Sequence, residues 1–145
     1  MTPAWLAATP VAGPSLAGTN GSDYQPGRCN IGPAEIARRR RAGHVGLAAT
    51  AVLFGGLVAG GAPPLARISV VLPAAIAASG YLQARLRFCA GFGSRGVFNF
   101  GSLGQTEQVF DDAARARDRA RATQIGVASL AIGVVTGLAA VLLPF

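Results

Sequence analysis

The chain has 145 residues, of which 51% are hydrophobic and only 13% are charged, and its mean hydropathy is +0.43. About a quarter of the residues in an average soluble domain are charged, so this composition excludes an ordinary soluble globule. All thirteen basic residues are arginine, and against six acids they give a net charge of +7. Such a balance is typical of binding to nucleic acid or anionic lipid, or of orientation in a membrane, and the positions of the charges decide among these.

The first segment, residues 1–30, is rich in Ala, Gly, Pro, Ser and Thr and has neither helical nor strand periodicity. A segment of this composition buries too little apolar surface to become ordered by itself. The sequence therefore predicts a flexible cytoplasmic tail over residues 1–30 and a three-helix membrane domain over residues 31–145.

The first predicted helix begins at Pro33 and continues to about Gly60. Proline at the first helical position and an acid, Glu35, in the first turn are both start signals. A helix needs about 20 mostly apolar residues to cross a bilayer core of about 30 Å. The uncharged stretch over residues 45–62 meets this requirement and predicts a span at about 43–61.

The second predicted helix crosses at about 66–86 and is at the short limit for a span. Its flanking residues Arg67, Arg85 and Arg87 are expected to extend their guanidinium groups to the lipid headgroups. Pro73 removes one backbone hydrogen bond and predicts a kink.

A connection over residues 89–105 contains five glycines interleaved with Phe92, Phe98 and Phe100. Because glycine disfavours regular helix, we expect an irregular loop at the membrane boundary, with the phenyl rings in the acyl edge and Arg95 on phosphate. The motif G-x-G-x-x-G over residues 91–96 does not predict nucleotide binding, since no strand precedes it.

The third predicted helix combines a charged stalk over residues 106–122 with a span at about 123–143. Within the stalk, Asp111 and Arg115 are four residues apart and Asp118 and Arg121 are three apart, which stabilises a helix. No residue that breaks a helix follows before Pro144.

The predicted fold is thus an all-α integral membrane protein with three transmembrane helices, of which the first and third extend into the cytoplasm. With alternating spans, Arg67 is the one arginine on the side opposite the other twelve. Because positive residues near spans are retained in the cytoplasm, the predicted location is the bacterial inner (cytoplasmic) membrane. The N-terminus is expected in the cytoplasm and the C-terminus outside.

Small residues four apart in each span predict helix packing, because they allow two backbones to approach closely in lipid. The predicted packing residues are Gly56, Gly60, Ala74, Ala78, Gly133 and Gly137. Three helices expose more faces than they can bury on one another, so other membrane subunits or further copies of the chain are expected partners.

The arginines near the span ends are expected to contact anionic lipid headgroups or acidic partner surfaces. These residues are Arg38, Arg39, Arg40, Arg41, Arg85, Arg87, Arg95, Arg115 and Arg119. Nucleic acid is not expected as a partner, because the charge lies at span ends and no soluble basic domain is present.

Cys29, Cys89 and His44 are the residues with possible ligand chemistry. The cysteines allow a thiol pair, lipidation or a metal shared between chains, and the simplest interpretation is small, half-buried side chains. His44 is interpreted as an interfacial hydrogen-bonding group, since a second axial haem ligand is missing. No cofactor and no metal site are predicted.

The expected function is that of a non-catalytic accessory or assembly subunit of a larger bacterial inner-membrane complex. The spans contain no acid, and no serine or cysteine has a recognisable nucleophile setting. One alternative is a small homo-oligomeric transporter or channel with Gln83 and Thr136 on a common axis. Another is a membrane thiol-redox or metal-handling protein that uses Cys29, Cys89 and His44.

Overall fold

The computed structural model describes residues 23–144, which are mostly helical. Its elements are α1 (Pro33–Ala59), a 3₁₀ segment (Pro64–Val70), α2 (Val71–Leu86), α3 (Ala90–Arg95), β1 (Val97–Phe98), β2 (Glu107–Gln108) and α4 (Asp112–Leu142). Three helical stretches, Pro33–Ala59, Pro64–Leu86 and Asp112–Leu142, are long and apolar enough to span a membrane. The prediction of three such helices is confirmed, and they indicate a multi-pass membrane protein.

Two of the helix starts follow their local signals. Pro33 opens α1 behind Gly32, and the acid Glu35 lies in the first turn. At α4, the Asp111 side chain accepts a hydrogen bond from the Ala114 amide at 2.8 Å, as an N-cap does. The charged helix therefore begins at Asp112, and residues 107–108 of the predicted stalk form a strand instead.

Pro73 lies close to the junction of the 3₁₀ segment with α2, and the kink there stays a prediction. The 3₁₀ segment passes into α2 at Val71, so Pro73 lies in the first turn of the α-helix. A proline is tolerated in the first turn of an α-helix, because the amides there have no partner within that helix.

α2 lies in the middle of the bundle, because the extensive long-helix contacts are those of α1 with α2 and of α2 with α4. The crossing of α1 and α2 is very close: a Cβ atom on Gly46 would be 2.6 Å from the amide nitrogen of Ala77. A Cβ atom on Gly80 would be 2.7 Å from the Cα of Gly43. Only glycine permits backbones to approach this closely.

α4 packs on the other side of α2 through a second pair of glycines. A Cβ atom on Gly133 would be 2.7 Å from the carbonyl oxygen of Val71, and one on Gly137 would collide with the Val71 side chain. The α1–α2 contact and the α2–α4 contact are therefore both made at glycines, which have no side chain to keep the backbones apart.

Residues 23–32 and 87–111 pack together at the arginine-rich end of the bundle, and we call them the loop region. Residues 23–30 belong to the segment predicted as a flexible tail, yet they are held by buried hydrogen bonds; residues 1–22 lie outside the described residues. Tyr24 donates its hydroxyl to the fully buried Asp118 at 2.7 Å, and the Gly27 amide donates to the same carboxylate at 2.6 Å.

Asn30 joins the two parts of the loop region. Its side-chain amide donates to the Cys89 carbonyl at 3.1 Å, and its side-chain oxygen accepts from the Cys89 amide at 2.6 Å. The backbone amide of Asn30 donates to the carbonyl of Arg87, and its carbonyl accepts from the amide of Asn99. Four hydrogen bonds therefore satisfy this fully buried residue.

The expectation of an irregular, lipid-facing loop over residues 89–105 is wrong on two points. Residues 90–95 form α3, and β1 pairs antiparallel with β2. The phenyl rings of Phe92, Phe98 and Phe100 are only 7–8% exposed and pack inside the protein. Phe98 stacks on Tyr24 with ring centroids 4.9 Å apart, so the tail segment and the loop supply a core to each other.

Arg67 was expected to extend its guanidinium group to the lipid headgroups, but in the structure it is buried. Only 3% of it is exposed, and Nη1 donates to the carbonyl oxygen of Leu143 at 2.9 Å and to that of Ala140 at 3.5 Å. These carbonyls belong to the end of α4, where partial negative charge accumulates and acceptors lack helical partners. Arg67 therefore caps the C-terminus of α4.

Candidate functional site

The predicted packing residues divide into two groups. Ala74 and Ala78 are buried at 6% and 8% exposure, and Gly133 and Gly137 contact α2. Gly56 differs, because a Cβ atom there would meet nothing within 4 Å, and one on Gly60 would meet only its own helix.

The close α1–α2 crossing uses residues that the sequence interpretation missed. Gly43, Gly46 and Gly80 form it, and Tyr81 lies with its ring against Gly43. Their signal in the sequence is two glycines three residues apart at the start of the first span, a spacing that differs from the four-residue spacing of the predicted packing pairs.

Four of the predicted contact arginines are engaged within the chain. Arg38 and Arg39 each lie 3.6 Å from the buried carboxylate of Glu35, and Arg39 also donates to the sulfur of Cys89 at 3.0 Å. Arg115 pairs with Asp112 at 3.1 Å, and the Nε of Arg95 donates to the Gly91 carbonyl at 2.9 Å. Arg95 is thus positioned on its own short helix and on the Phe92 ring, 5.8 Å from its centroid.

Arg40, Arg85 and Arg87 form a different arrangement: they line one groove of about 530 Å³ between α1 and the end of α2. Ile36, Tyr81 and Ala84 complete the lining, so the groove contains no acid. Within residues 23–144, no hydrogen-bond or ion-pair partner is found for these three guanidinium groups. Arg41 and Arg119 are exposed and do not line it.

His44 and Tyr81 meet beside this groove. The Tyr81 hydroxyl lies 2.7 Å from the Nδ1 of His44, and the two rings are edge-on at 5.3 Å. His44 is exposed on α1, so the pair presents a fixed polar group where α1 and α2 cross.

Two apolar recesses continue from Tyr81 along the bundle. The first, about 210 Å³, is lined by all three long helices and includes Tyr81, Leu47, Thr50 and Thr136. The second, about 260 Å³, shares Leu47, Thr50 and Thr136 and extends to Phe54. Both threonine hydroxyls donate to carbonyls of their own helices at 2.8 Å, so the recesses are apolar in character.

The two cysteines are free thiols in separate environments. Cys29 packs with the cluster of Phe98, Phe100, Val109 and Ala114, whereas Cys89 packs with Ile31 and Phe92. The Cys89 sulfur accepts from the Phe92 amide at 3.4 Å and so caps α3. Among residues 23–144, no three His, Cys, Asp or Glu side chains are grouped as a metal site requires.

The strongest electrostatic perturbation lies in the loop region. Burial raises the pKa of Tyr24, and the hydrogen bond and negative charge of Asp118 raise it further. The phenol therefore stays protonated and remains a donor to Asp118 throughout the physiological range. This contact is structural, since it fixes residues 23–30 on α4.

The chain matches no known protein family, no characterised protein and no solved structure. The described residues present three surface features: the arginine groove, the two apolar recesses, and the face of α1 at Gly56, where a Cβ atom would meet nothing within 4 Å.

Proposed function

We propose that this protein is a non-catalytic accessory or assembly subunit of a larger complex in the bacterial cytoplasmic membrane. In this proposal the arginine-rich end lies in the cytoplasm and the C-terminus lies outside, in accordance with the positive-inside rule. Partner membrane subunits pack on the helices, and anionic headgroups or acidic partner surfaces meet the arginines.

The observation that supports this proposal is the open glycine face of α1. The buried residues of α1 are Glu35, Gly43 and Gly46, and none of residues 47–59 is buried. Gly56 lies in this part of α1 with open space over its backbone, and Gly60 follows at the C-cap, where a Cβ atom would meet only the Gly56 carbonyl. Small residues four apart favour close helix association in lipid, and no helix among residues 23–144 fills this face.

The channel alternative has little geometric support. The Gln83 side chain donates to Ser79 and accepts from the Ala90 amide at 3.0 Å, which places it inside the protein at the start of α3. The thiol and metal alternative is not favoured either, since Cys29 and Cys89 belong to different clusters.

Native electrophoresis and cross-linking after gentle detergent extraction from the native host test the proposal. We expect the wild-type chain to migrate in a larger complex that a Gly56→Leu/Gly60→Leu variant loses. A Gly126→Leu variant is the control, because a Cβ atom on Gly126 also meets nothing within 4 Å but lies on α4. Migration of the wild type solely as a monomer contradicts the proposal, and cross-links only between copies of this chain favour a homo-oligomer instead.

Orientation is tested separately with a C-terminal reporter that is active only in the cytoplasm. The reporter is expected to be silent, because the proposed topology puts twelve arginines on the side opposite the C-terminus. Strong reporter activity contradicts the proposed orientation and leaves the assembly proposal intact.

A further inference from the structure

We infer that the arginine groove and the two apolar recesses together bind one anionic phospholipid. The phosphate lies against Arg40, Arg85 and Arg87, and an acyl chain follows the recesses between α1 and α4. This inference rests on the membrane location in the proposed function but uses a different face of α1. It therefore stands or fails independently of the subunit contact at Gly56 and Gly60.

Charge complementarity identifies the headgroup. Three guanidinium groups converge on one groove that has no acid in its lining, and none of them has a hydrogen-bond or ion-pair partner among residues 23–144. Their neighbours Arg38 and Arg39, in contrast, share the carboxylate of Glu35. Guanidinium presents several donors in a planar fork that matches a phosphate, and basic grooves between membrane helices on the cytoplasmic side bind anionic headgroups.

The backbone of Arg87 provides an independent indication. This residue terminates α2 in the left-handed conformation, with φ 54° and ψ 35°. Glycine adopts this conformation without strain and is the usual residue at such a helix end. An arginine tolerated there supplies a guanidinium to the groove at a backbone cost, which is the pattern of strain retained at functional sites.

The face of α1 that lines the groove is continuous with the face that lines the recesses. Ile36 and Arg40 line the groove, and Leu47 and Phe54 line the recesses. Intervals of four and seven residues keep all four on one side of a helix. Gly56 follows Phe54 by two residues, about 200° around the helix at 3.6 residues per turn, and so faces away from the lipid.

Tyr81 connects the polar part of the site with the apolar part, because it lines both the arginine groove and the first recess. Its hydroxyl, held by His44 at 2.7 Å, lies between the phosphate-binding arginines and the apolar lining. This is the level at which a phospholipid carries its glycerol and ester groups, and an amphipathic tyrosine suits that boundary.

The size of the recesses favours an acyl chain over a partner helix. A helix with its side chains is about 10–12 Å across, whereas the recesses have volumes of about 210 and 260 Å³. Each recess is smaller than the roughly 300–1,000 Å³ of a typical ligand pocket, which suits a single narrow acyl chain. The three arginines at one end of the path favour a negatively charged occupant.

The test uses the full chain purified in a neutral detergent, titrated with dioleoyl phosphatidylglycerol or with dioleoyl phosphatidylcholine. Native mass spectrometry counts the bound lipids. We expect one phosphatidylglycerol to bind at least tenfold more tightly than phosphatidylcholine, and the variant Arg40→Gln/Arg85→Gln/Arg87→Gln to abolish this preference.

The control variant, Arg38→Gln/Arg41→Gln/Arg119→Gln, removes the same number of charges outside the groove and is expected to retain the preference for phosphatidylglycerol. Equal loss in both variants overturns the site, because it indicates general surface attraction.

Two further variants test the acyl-chain recess and the arginine groove separately. Ala51 lines the second recess. Ala51→Phe places a ring there and is expected to weaken phosphatidylglycerol binding severalfold while leaving every arginine in place. Arg87→Gly removes the guanidinium and relieves the left-handed backbone, so the lipid-free protein is expected to melt no lower than wild type yet to bind lipid more weakly. Unchanged lipid affinity in both variants overturns the inference.

Inorganic phosphate and photocross-linking distinguish the remaining occupants. If inorganic phosphate at equal concentration stabilises the protein as much as phosphatidylglycerol does, the acyl part of the inference is wrong. If a photoreactive residue at position 51 cross-links a protein subunit rather than lipid in cells, the groove is a protein interface and the lipid site is overturned. The Gly56→Leu/Gly60→Leu variant is expected to keep its bound lipid, so loss of the complex and loss of the lipid are separate results.

Discussion

The loop region and residues 47–59 of α1, the outer part of that helix, differ in how far the rest of the chain buries them. In the loop region, buried polar residues such as Asn30 and Asp118 are satisfied by hydrogen bonds to segments distant in the chain. Residues 47–59 of α1 contain no buried side chain. The difference shows that the arginine-rich end is ordered by contacts within the chain, whereas no other described segment covers residues 47–59 of α1.

Between these two regions lies the α1–α2 crossing, and a Gly80→Val substitution there is expected to have the largest effect. The added side chain collides with backbone atoms of Gly43 and Arg39, so a change of side-chain rotamer cannot relieve the clash. Overpacking of this kind costs about 1–3 kcal/mol and occasionally more. The unfolding temperature in detergent should fall strongly, while that of Gly126→Val stays near wild type. A Gly80→Val protein as stable as the control contradicts the close crossing.

Asn30→Ala tests whether the loop region depends on its buried amide. The substitution leaves the amide and carbonyl of Cys89 buried without the Asn30 side chain, at a cost of about 1–3 kcal/mol. Hydrogen exchange should increase in residues 87–96 and remain slow at the α1–α2 crossing. Gln105→Ala removes an amide that is exposed and bonded only to Ser102, and it should leave exchange unchanged. Faster exchange throughout both regions shows that they unfold as one unit.

Tyr24→Phe has the smallest expected effect at neutral pH and a distinctive one in alkali. Since the pKa of Tyr24 is raised in the folded protein, its contribution to stability is fully present below the unfolded phenol pKa of about 10. It is lost as pH rises from there through the higher folded pKa. The unfolding temperature of wild type should therefore decrease more between pH 9 and pH 11 than that of Tyr24→Phe. Parallel pH profiles contradict the buried contact with Asp118.

The sequence predicted what depends on neighbours in the chain and missed what depends on distant contacts. Pro33 and Glu35 mark the start of α1, and the uncharged stretches mark all three long helices. The loop region follows from pairs such as Asn30 with Cys89 and Tyr24 with Asp118, which are 59 and 94 residues apart. No local periodicity reports such pairs, so a composition rich in glycine and proline predicted flexibility where the structure has order.

The candidate site was predicted in its residue types but not in its geometry. Arg40, Arg85 and Arg87 were expected to contact lipid, together with six other arginines that the sequence could not distinguish from them. Two features of the fold distinguish these arginines. Glu35 pairs with Arg38 and Arg39 and not with Arg40, and the left-handed end of α2 places Arg87 at the groove. Likewise, the recesses arise because α1 and α4 both pack on α2, an arrangement that the spacing of apolar residues within one helix does not specify.

Arg67 sets an order of events during synthesis. Its carbonyl acceptors at Ala140 and Leu143 lie 73 and 76 residues later in the chain, so they do not exist when the second helix first forms. Until α4 is made, the hydrogen bonds to Ala140 and Leu143 are missing, and the burial of a guanidinium that is 3% exposed in the finished fold is less favourable. The second helix is therefore expected to settle at its final depth only after the third has been translated.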